Sequence, residues 1–304
     1  MSTALASRHE RIVATEFDYA QMPKTRTLPC NLCGSDRWVV IAHRDRYGFS
    51  VKATTCSNCG LTVINPRMTN DAYSKFYQTS YRPLVSAYHG RTINAKTIKA
   101  EQALYAEKAM EFIAPYLGPE HRTMLDVGGS TGVVSDAFRK TFGMEVTVID
   151  PSPEETSESQ ALGIETISAF IESWEPKNRK FDVIGMFQTV DHLLDVAGAF
   201  SKLRSVISDD GMLFVDIVDF RGAYLRANSV QEALKIDHVY SLTEQTMEAF
   251  LERSGFKWVR KEYAEDLIHI GYLCVPVTPN PKAKPHQDWA TSHLSEIRKV
   301  QNTL

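Results

Sequence analysis

Four of the five cysteines stand in two pairs, Cys30-Asn31-Leu32-Cys33-Gly34 and Cys56-Ser57-Asn58-Cys59-Gly60, with residues 34–55 between them. Two residues between thiolates let the chain fold into a knuckle that presents both sulfurs to one ion, and the glycine after each pair permits a turn at positive φ. Four thiolates suit tetrahedral zinc and leave no coordination position open, so Cys30, Cys33, Cys56 and Cys59 are expected to hold a structural ion. Unligated buried cysteines are the alternative. Cys274 stands apart in the apolar run Ile270 to Val277. Two histidines lie next to acids, His192 after Asp191 and His238 after Asp237. Such a histidine can move a proton near neutral pH, or can simply hold backbone groups of its loop.

A third constellation binds rather than reacts. The run Met124-Leu125-Asp126-Val127 leads into Gly128-Gly129-Ser130-Thr131-Gly132 and then into a helical pattern through Val133, Val134, Ala137 and Phe138. A turn of this kind at the carboxyl end of a first parallel strand lets a ligand approach the backbone. Eighteen residues after Gly132 a second strand ends in Asp150, where a carboxylate can accept hydrogen bonds from both hydroxyls of a ribose. A dinucleotide would bring a pyrophosphate to the turn, and Asp126 would repel it. That carboxylate instead suits a ligand carrying an amine or a sulfonium, a description that fits S-adenosylmethionine (SAM), with adenosine on Asp150 and the amino-acid end over the turn.

The elements that must position these groups follow from hydrophobic period. From Thr123 onward, short apolar runs alternate with helical patterns, the sequence form of a parallel sheet with crossover helices. Strands are expected at Met124 to Val127, Val146 to Ile149, Ile164 to Ile167, Phe181 to Phe187 and Met212 to Val218. Phe256 to Tyr263 and Leu267 to Val277 should form an antiparallel hairpin. One helix follows Asp195, with Asp209-Asp210-Gly211 as the turn after it. Another starts at Ser241-Leu242-Thr243-Glu244, which has the capping-box pattern, and stops near Gly255. Upstream, residues 1–27 read as an extension, 28–66 as a zinc-ribbon lobe and 67–120 as a helical connector. The body spans 121–277, and 278–304 are a tail ending in a helix.

The 304 residues carry 34 Lys and Arg against 37 Asp and Glu, so the excess positive charge that drives nonspecific nucleic-acid or anionic-membrane binding is absent. No apolar run approaches the roughly 20 residues that span a bilayer. Arg8, His9, Glu10 and Arg11 interrupt the first stretch before a signal-peptide core can form, and a cytoplasmic protein is expected.

The segments LDVGGSTG (125–132), VTVIDPS (146–152), FDVIGMFQTVDHLLD (181–195), DDGMLFVDI (209–217) and DHVYSLT (237–243) resemble the class I SAM-dependent methyltransferases, over about residues 28–277. CNLCG and CSNCGLTVINPR resemble the zinc-ribbon lobe of a branch that includes sugar C-methyltransferases. The resemblance implies an α/β, Rossmann-like seven-stranded sheet with the last strand antiparallel, and a small N-terminal zinc-ribbon lobe. It implies SAM held by Asp126, Gly128, Gly132 and Asp150, with Gly129, Ser130, Pro151, Phe187 and Gln188 along the same edge. Tyr81, before Pro83, is expected to cover the methionine end. Ser130 replaces the middle glycine of the family's D-x-G-x-G-x-G. Ala169-Phe170 replaces an acid that relatives use for adenine, so Phe170 is expected to pack on the ring.

In the resembling sugar C-methyltransferases the proposed base is a histidine that follows an acid and precedes a tyrosine, which carries onto His238, with Asp237 or Asp191 to orient it and His192 as the other candidate. The expected acceptor is a small molecule, a sugar or sugar-containing metabolite such as a nucleotide sugar or surface glycan. Two other readings fit parts of the pattern: a catalytically inactive methyltransferase-fold binding protein, with Ser130 as its sign, and an NAD-dependent oxidoreductase.

Overall fold

A computed structural model describes residues 7–27, 29–286 and 288–302. Its largest sheet contains β1 (Thr123–Val127), β2 (Glu145–Ile149), β3 (Glu165–Ile167), β4 (Phe181–Met186), β5 (Ile207–Val218), β6 (Phe256–Tyr263) and β7 (His269–Pro276), in the spatial order β3-β2-β1-β4-β5-β7-β6. Strands β1 to β5 pair in parallel, whereas β7 runs antiparallel between β5 and β6. The order reverses at β1, flanked by β2 and β4. An open α/β sheet has its ligand crevice at such a switch point, outside the carboxyl ends of the strands.

Alternation along the strands covers both faces. Met124, Val183 and Phe214 meet Ala109 and Ile113 of helix Ala95–Ile113 and Phe138 of helix Val133–Phe142 on one side. Leu125, Ile184, Leu213 and Val215 meet Phe200 and Leu203 of helix Val196–Val206 and Phe250 of helix Glu244–Ser254 on the other. Burial on both faces is why these strands read as almost unbroken apolar runs.

Three boundaries of the large sheet and its capped helix differ from the sequence reading by two residues or more. Asp209, Asp210 and Gly211 lie inside β5 rather than in a turn before it, and the parallel register with β4 shifts between Ile207 and Met212 to absorb them. Leu267 does not begin β7; it is exposed at φ +57° in the β6–β7 turn. Helix Glu244–Ser254 is capped by Thr243, which exchanges hydrogen bonds with Thr246, and not by Ser241. Ser241 is spent in a strand.

That strand belongs to a second, antiparallel sheet, in the order Tyr240–Ser241, Thr62–Ile64, Ser50–Cys56, Trp38–Arg44. Three strands come from the cysteine segment, and the fourth from the chain between β5 and β6. Cys30, Cys56 and Cys59 share one apolar core with Leu125, Ile184 and Val215 of the large sheet, so the lobe and the sheet bury a common surface. The connector forms helices Asn70–Thr79, Tyr81–His89 and Ala95–Ile113. The described part of the extension wraps the body, with Ile12 and Tyr19 buried and Lys24–Thr25 paired to Arg67–Met68. Residues 1–6 of that extension, Leu28, and 287, 303 and 304 of the tail lie outside the described residues. Among the described residues no helix is long and apolar enough to cross a membrane.

Candidate functional site

The turn after β1 passes through Gly128 at φ +73°, Ser130 at φ +51° and Gly132 at φ +74° before helix Val133–Phe142 begins. Glycine at 128 is required twice over, since a Cβ there would also collide with the Thr189 side chain. Ser130 tolerates the left-handed region because both its polar groups are held. Its N–H donates to Asp150 Oδ2 at 3.0 Å, and its hydroxyl donates to Glu155. Glu155 in turn pairs with Arg82. The missing glycine therefore leaves the turn intact.

Asp126 lies under the turn, fully buried, with Ser135 donating to its Oδ2 and with Oδ1 unpartnered. Burial pushes its carboxyl up to about 7. Asp150, at the end of β2, accepts from the Ser130 and Ser152 amides at 3.0 and 2.8 Å. Burial and the neighbouring Glu155 charge push it up to about 7. Two amides leave half of a carboxylate's acceptor sites open, which fits a ribose diol.

Gly128, Ser130 and Asp150 face a cavity of about 360 Å³. Of the expected cofactor residues, Gly128, Ser130, Asp150, Pro151, Phe170, Phe187, Gln188 and Tyr81 line it, whereas Asp126, Gly129 and Gly132 do not. Gly129 and Gly132 instead give close packing: a Cβ at either would lie 2.7 Å from Asp126 Oδ2 or Ser159 Oγ. The cradle of Gly128, Ser130 and Asp150 fits a nucleoside laid against the backbone, while Asp126, expected to meet the ligand, is buried beneath the turn.

His192, Asp237 and His238 line the same cavity, with one ligand-type atom from each within 4.8 Å of the others. His192 Nδ1 lies 3.0 Å from the Asp237 carbonyl oxygen and 3.1 Å from the Tyr77 hydroxyl. A carbonyl only accepts, so Nδ1 carries the proton and Nε2 keeps its lone pair. Burial lowers this imidazole to about 4. His238 Nε2 is 3.2 Å from Lys235 Nζ, its Nδ1 is 4.0 Å from Asp191 Oδ2, and the two imidazoles meet edge-on with centroids 4.6 Å apart. Burial and the Lys235 charge hold His238 well below the usual histidine range.

The loop carrying Asp237 and His238 is tied on every side. Tyr73 donates to the Ile236 carbonyl at 2.8 Å, Ile236 N–H to Asp45 Oδ2 at 3.1 Å, and Tyr47 to Asp237 Oδ1 at 3.1 Å. The sequence reading missed Arg46, Tyr77, Arg82 and Lys235, which line the cavity beside the expected residues. Only the spacing of Lys235 two places before Asp237, and of Arg82 next to Tyr81, hinted at them.

In the lobe, Cys30 Sγ lies 3.6 Å from Cys59 Sγ, and Cys33 Sγ 3.6 Å from Cys56 Sγ. A tetrahedral site with Zn–S of about 2.3 Å needs sulfurs about 3.8 Å apart, so the four fit one zinc. Gly34 and Gly60 turn at φ +73° and +78° and donate to the Cys30 and Cys56 carbonyls, as each knuckle requires. Protein purified without added zinc should contain about one equivalent of metal per chain. Near-zero metal with four freely titrating thiols would remove the site.

A methyltransferase-domain family model matches residues 99–261, more than half of the chain. A ubiquinone biosynthesis O-methyltransferase of Methylocella silvestris is 27% identical over 97 residues, which make up 30% of this chain and 38% of that protein's length. The magnesium protoporphyrin IX methyltransferase ChlM of Synechocystis PCC 6803 is similar in fold. With bound S-adenosylhomocysteine (SAH) it gives a TM-score of 0.53 at 13% identity, covering 68% of this chain and 100% of that one. With bound SAM it gives 0.50 at 13% identity, covering 68% and 96%. The chain belongs to the methyltransferase-domain family, on the class I SAM-dependent methyltransferase fold.

Proposed function

We propose that the chain methylates a small-molecule acceptor, a sugar or sugar-containing metabolite, using SAM. The observation that carries this reading is the single cavity joining the Asp150 end of the turn to His192, whose tautomer the Asp237 carbonyl fixes. Bound along the turn, SAM supplies an electrophilic methyl on its sulfonium. Asp150 holds the ribose, Phe170 packs on the adenine, Tyr81 closes the amino-acid end, and Gly128 lets the ligand lie against the backbone. The same cavity also carries Tyr77, Glu172, Lys235 and Asp237, a set of donors and acceptors suited to a polyhydroxylated acceptor.

His192 Nε2 is the proposed base, in exchange with the role that the sequence reading gave His238. Its lone pair is free of protein partners among the described residues, whereas the Nε2 of His238 faces an ammonium. An imidazole lowered to about 4 by burial is a weak base. The acceptor proton must therefore be acidic in itself, or leave late in the in-line displacement.

A screen for transfer of labelled methyl from SAM across sugar nucleotides, glycans and phenols tests the activity. Failure of the purified protein to bind SAM by calorimetry would favour the inactive-fold reading. Asp150→Ala should weaken SAM binding by about 1.5–3 kcal/mol through lost charge-assisted hydrogen bonds, and Asp150→Asn by less. Unchanged affinity in the Ala variant would take Asp150 out of the site.

A further inference from the structure

Arg46 sits at the tip of the hairpin joining Trp38–Arg44 to Ser50–Cys56 and lines the cavity. Its guanidinium lies over the Tyr88 and Tyr47 rings, 4.3 and 5.0 Å from their centroids, and donates through Nη2 to the Tyr47 hydroxyl at 3.1 Å. Nε is buried without a partner. Five donors in one plane, with tyrosine rings against the faces, leave the edge of the fork with a single hydrogen-bonding protein partner, the Tyr47 hydroxyl.

Lys235 is brought beside it by one backbone contact and one backbone-to-carboxylate contact. Arg46 N–H donates to the Leu234 carbonyl at 3.0 Å, and Ile236 N–H donates to Asp45. The Lys235 ammonium has one hydrogen-bonding neighbour, His238 Nε2. His89, exposed at the end of helix Tyr81–His89, lines the same wall. Among the described residues, neither Arg46 nor Lys235 has a carboxylate oxygen within 4.0 Å. The nearby acids are otherwise engaged: Asp237 accepts from Tyr47, and Asp191 accepts from the Val218 amide and is pushed up to about 7 by burial. The cavity's other guanidinium, Arg82, is taken by Glu155.

We propose that Arg46, Lys235 and His89 form a subsite for an acidic group of the acceptor, a phosphoryl group or a carboxylate. Two cations held together with no carboxylate in direct contact repel each other, and a bound oxyanion relieves that repulsion while taking the free edge of the guanidinium in a bidentate contact. Lys235 is lowered to about 8 by burial and then by the Arg46 charge, and His89 is lowered by burial, Arg46, Arg91 and Lys235; the Asp237 and Asp191 charges offset part of this at Lys235. Lys235 touches His238, and His238 rests on His192, so an acceptor held at this wall lies within one ring's breadth of the proposed base. The ribbon hairpin, the connector and the loop after β5 would then together supply recognition of the acceptor, and the large sheet recognition of the methyl donor. The subsite rests on the methyltransferase reading for its role, and on this wall alone for its existence.

The test is calorimetry on the zinc-loaded full chain, with and without saturating SAH, titrated with inorganic phosphate, pyrophosphate and acetate. The expected result is saturable binding of at least one anion, weakened tenfold or more in Arg46→Gln and in Lys235→Met, with SAH affinity unchanged. Tighter phosphate or pyrophosphate identifies a phosphoryl group, and tighter acetate a carboxylate. If Arg46→Gln fails to fold, Lys235→Met decides. The subsite is overturned if no anion binds the wild-type chain, or if binding is the same in every folded variant. A protein that binds anions in this variant-dependent way but not SAH would keep the subsite and lose the methyltransferase reading.

Discussion

His192→Gln is expected to lower turnover by about 10²-fold or more while SAM affinity stays within about twofold, because a positioned base contributes that much and the nucleoside is held elsewhere. Glutamine can still donate to the Asp237 carbonyl, so the loop keeps its tether and only the basic nitrogen is lost. His238→Gln should cost less, on the order of tenfold, since His238 acts by orienting Lys235 and packing on His192. The pH profiles separate the contributions. A histidine lowered to about 4 stays neutral at every pH above that, so kcat with both substrates saturating should hold level on the acid side until pH approaches 4. Asp150, raised to about 7, is protonated below that pH and loses an acceptor oxygen for the ribose. The ratio kcat/KM for SAM should therefore fall as pH drops through 7, and this limb should persist in His192→Gln. A larger loss in His238→Gln than in His192→Gln would return the base to His238. Full activity in both would mean that alignment alone drives transfer.

Stripping zinc, or replacing Cys56 by Ser, should lower kcat by 10²-fold or more, the order expected when catalytic groups shift by about 1 Å, with SAM affinity largely retained. Cys56 ends one strand of the ribbon, and Cys59 stands just before Thr62–Ile64, whose partner strand Tyr240–Ser241 continues directly from Asp237 and His238. Ile64 N–H also donates to the Val239 carbonyl at 3.1 Å. Losing the ion frees Thr62–Ile64 and with it the acceptor wall. The proposed donor end on β1 and β2 shares apolar core with the cysteines through Leu125, but its strand pairing is its own and does not run through them. Calorimetry with SAH and a turnover assay on the same chelated sample, followed by zinc restoration, measure the two effects apart. Parallel loss of both would make the zinc a support of the whole chain, and unchanged kcat would release the loop from the lobe.

How much was legible in the sequence depended on whether a residue acts with its neighbours in the chain. The knuckles, the glycine turn and Asp150 are local patterns whose geometry follows from spacing, and each strand end that places them announced itself by an apolar run. The proposed acceptor wall is not local. Arg46, Tyr77 and Lys235 come from a ribbon hairpin, a connector helix and the loop after β5, and no period in any one segment marks them as a group. The misplaced helix cap has a similar cause. Ser241 satisfies the capping-box spacing, but pairing with Thr62 claims its backbone, and the cap moves to the next hydroxyl that is free. Leu267 was misjudged because a turn residue at positive φ can still be apolar.

The pairing of Val63 with Tyr240 joins positions 177 residues apart. On a ribosome, the first three ribbon strands emerge early and must wait, one edge uncovered, while β1 through β5 are made. Loop-closure entropy rises slowly with length, so the delay costs little at equilibrium, but contacts this distant slow folding and leave an open edge exposed to other chains in the meantime. Early zinc capture would hold the waiting hairpin in register through that interval. Cells short of zinc would then be expected to lose this protein to aggregation during synthesis, before any mature copy loses its ion.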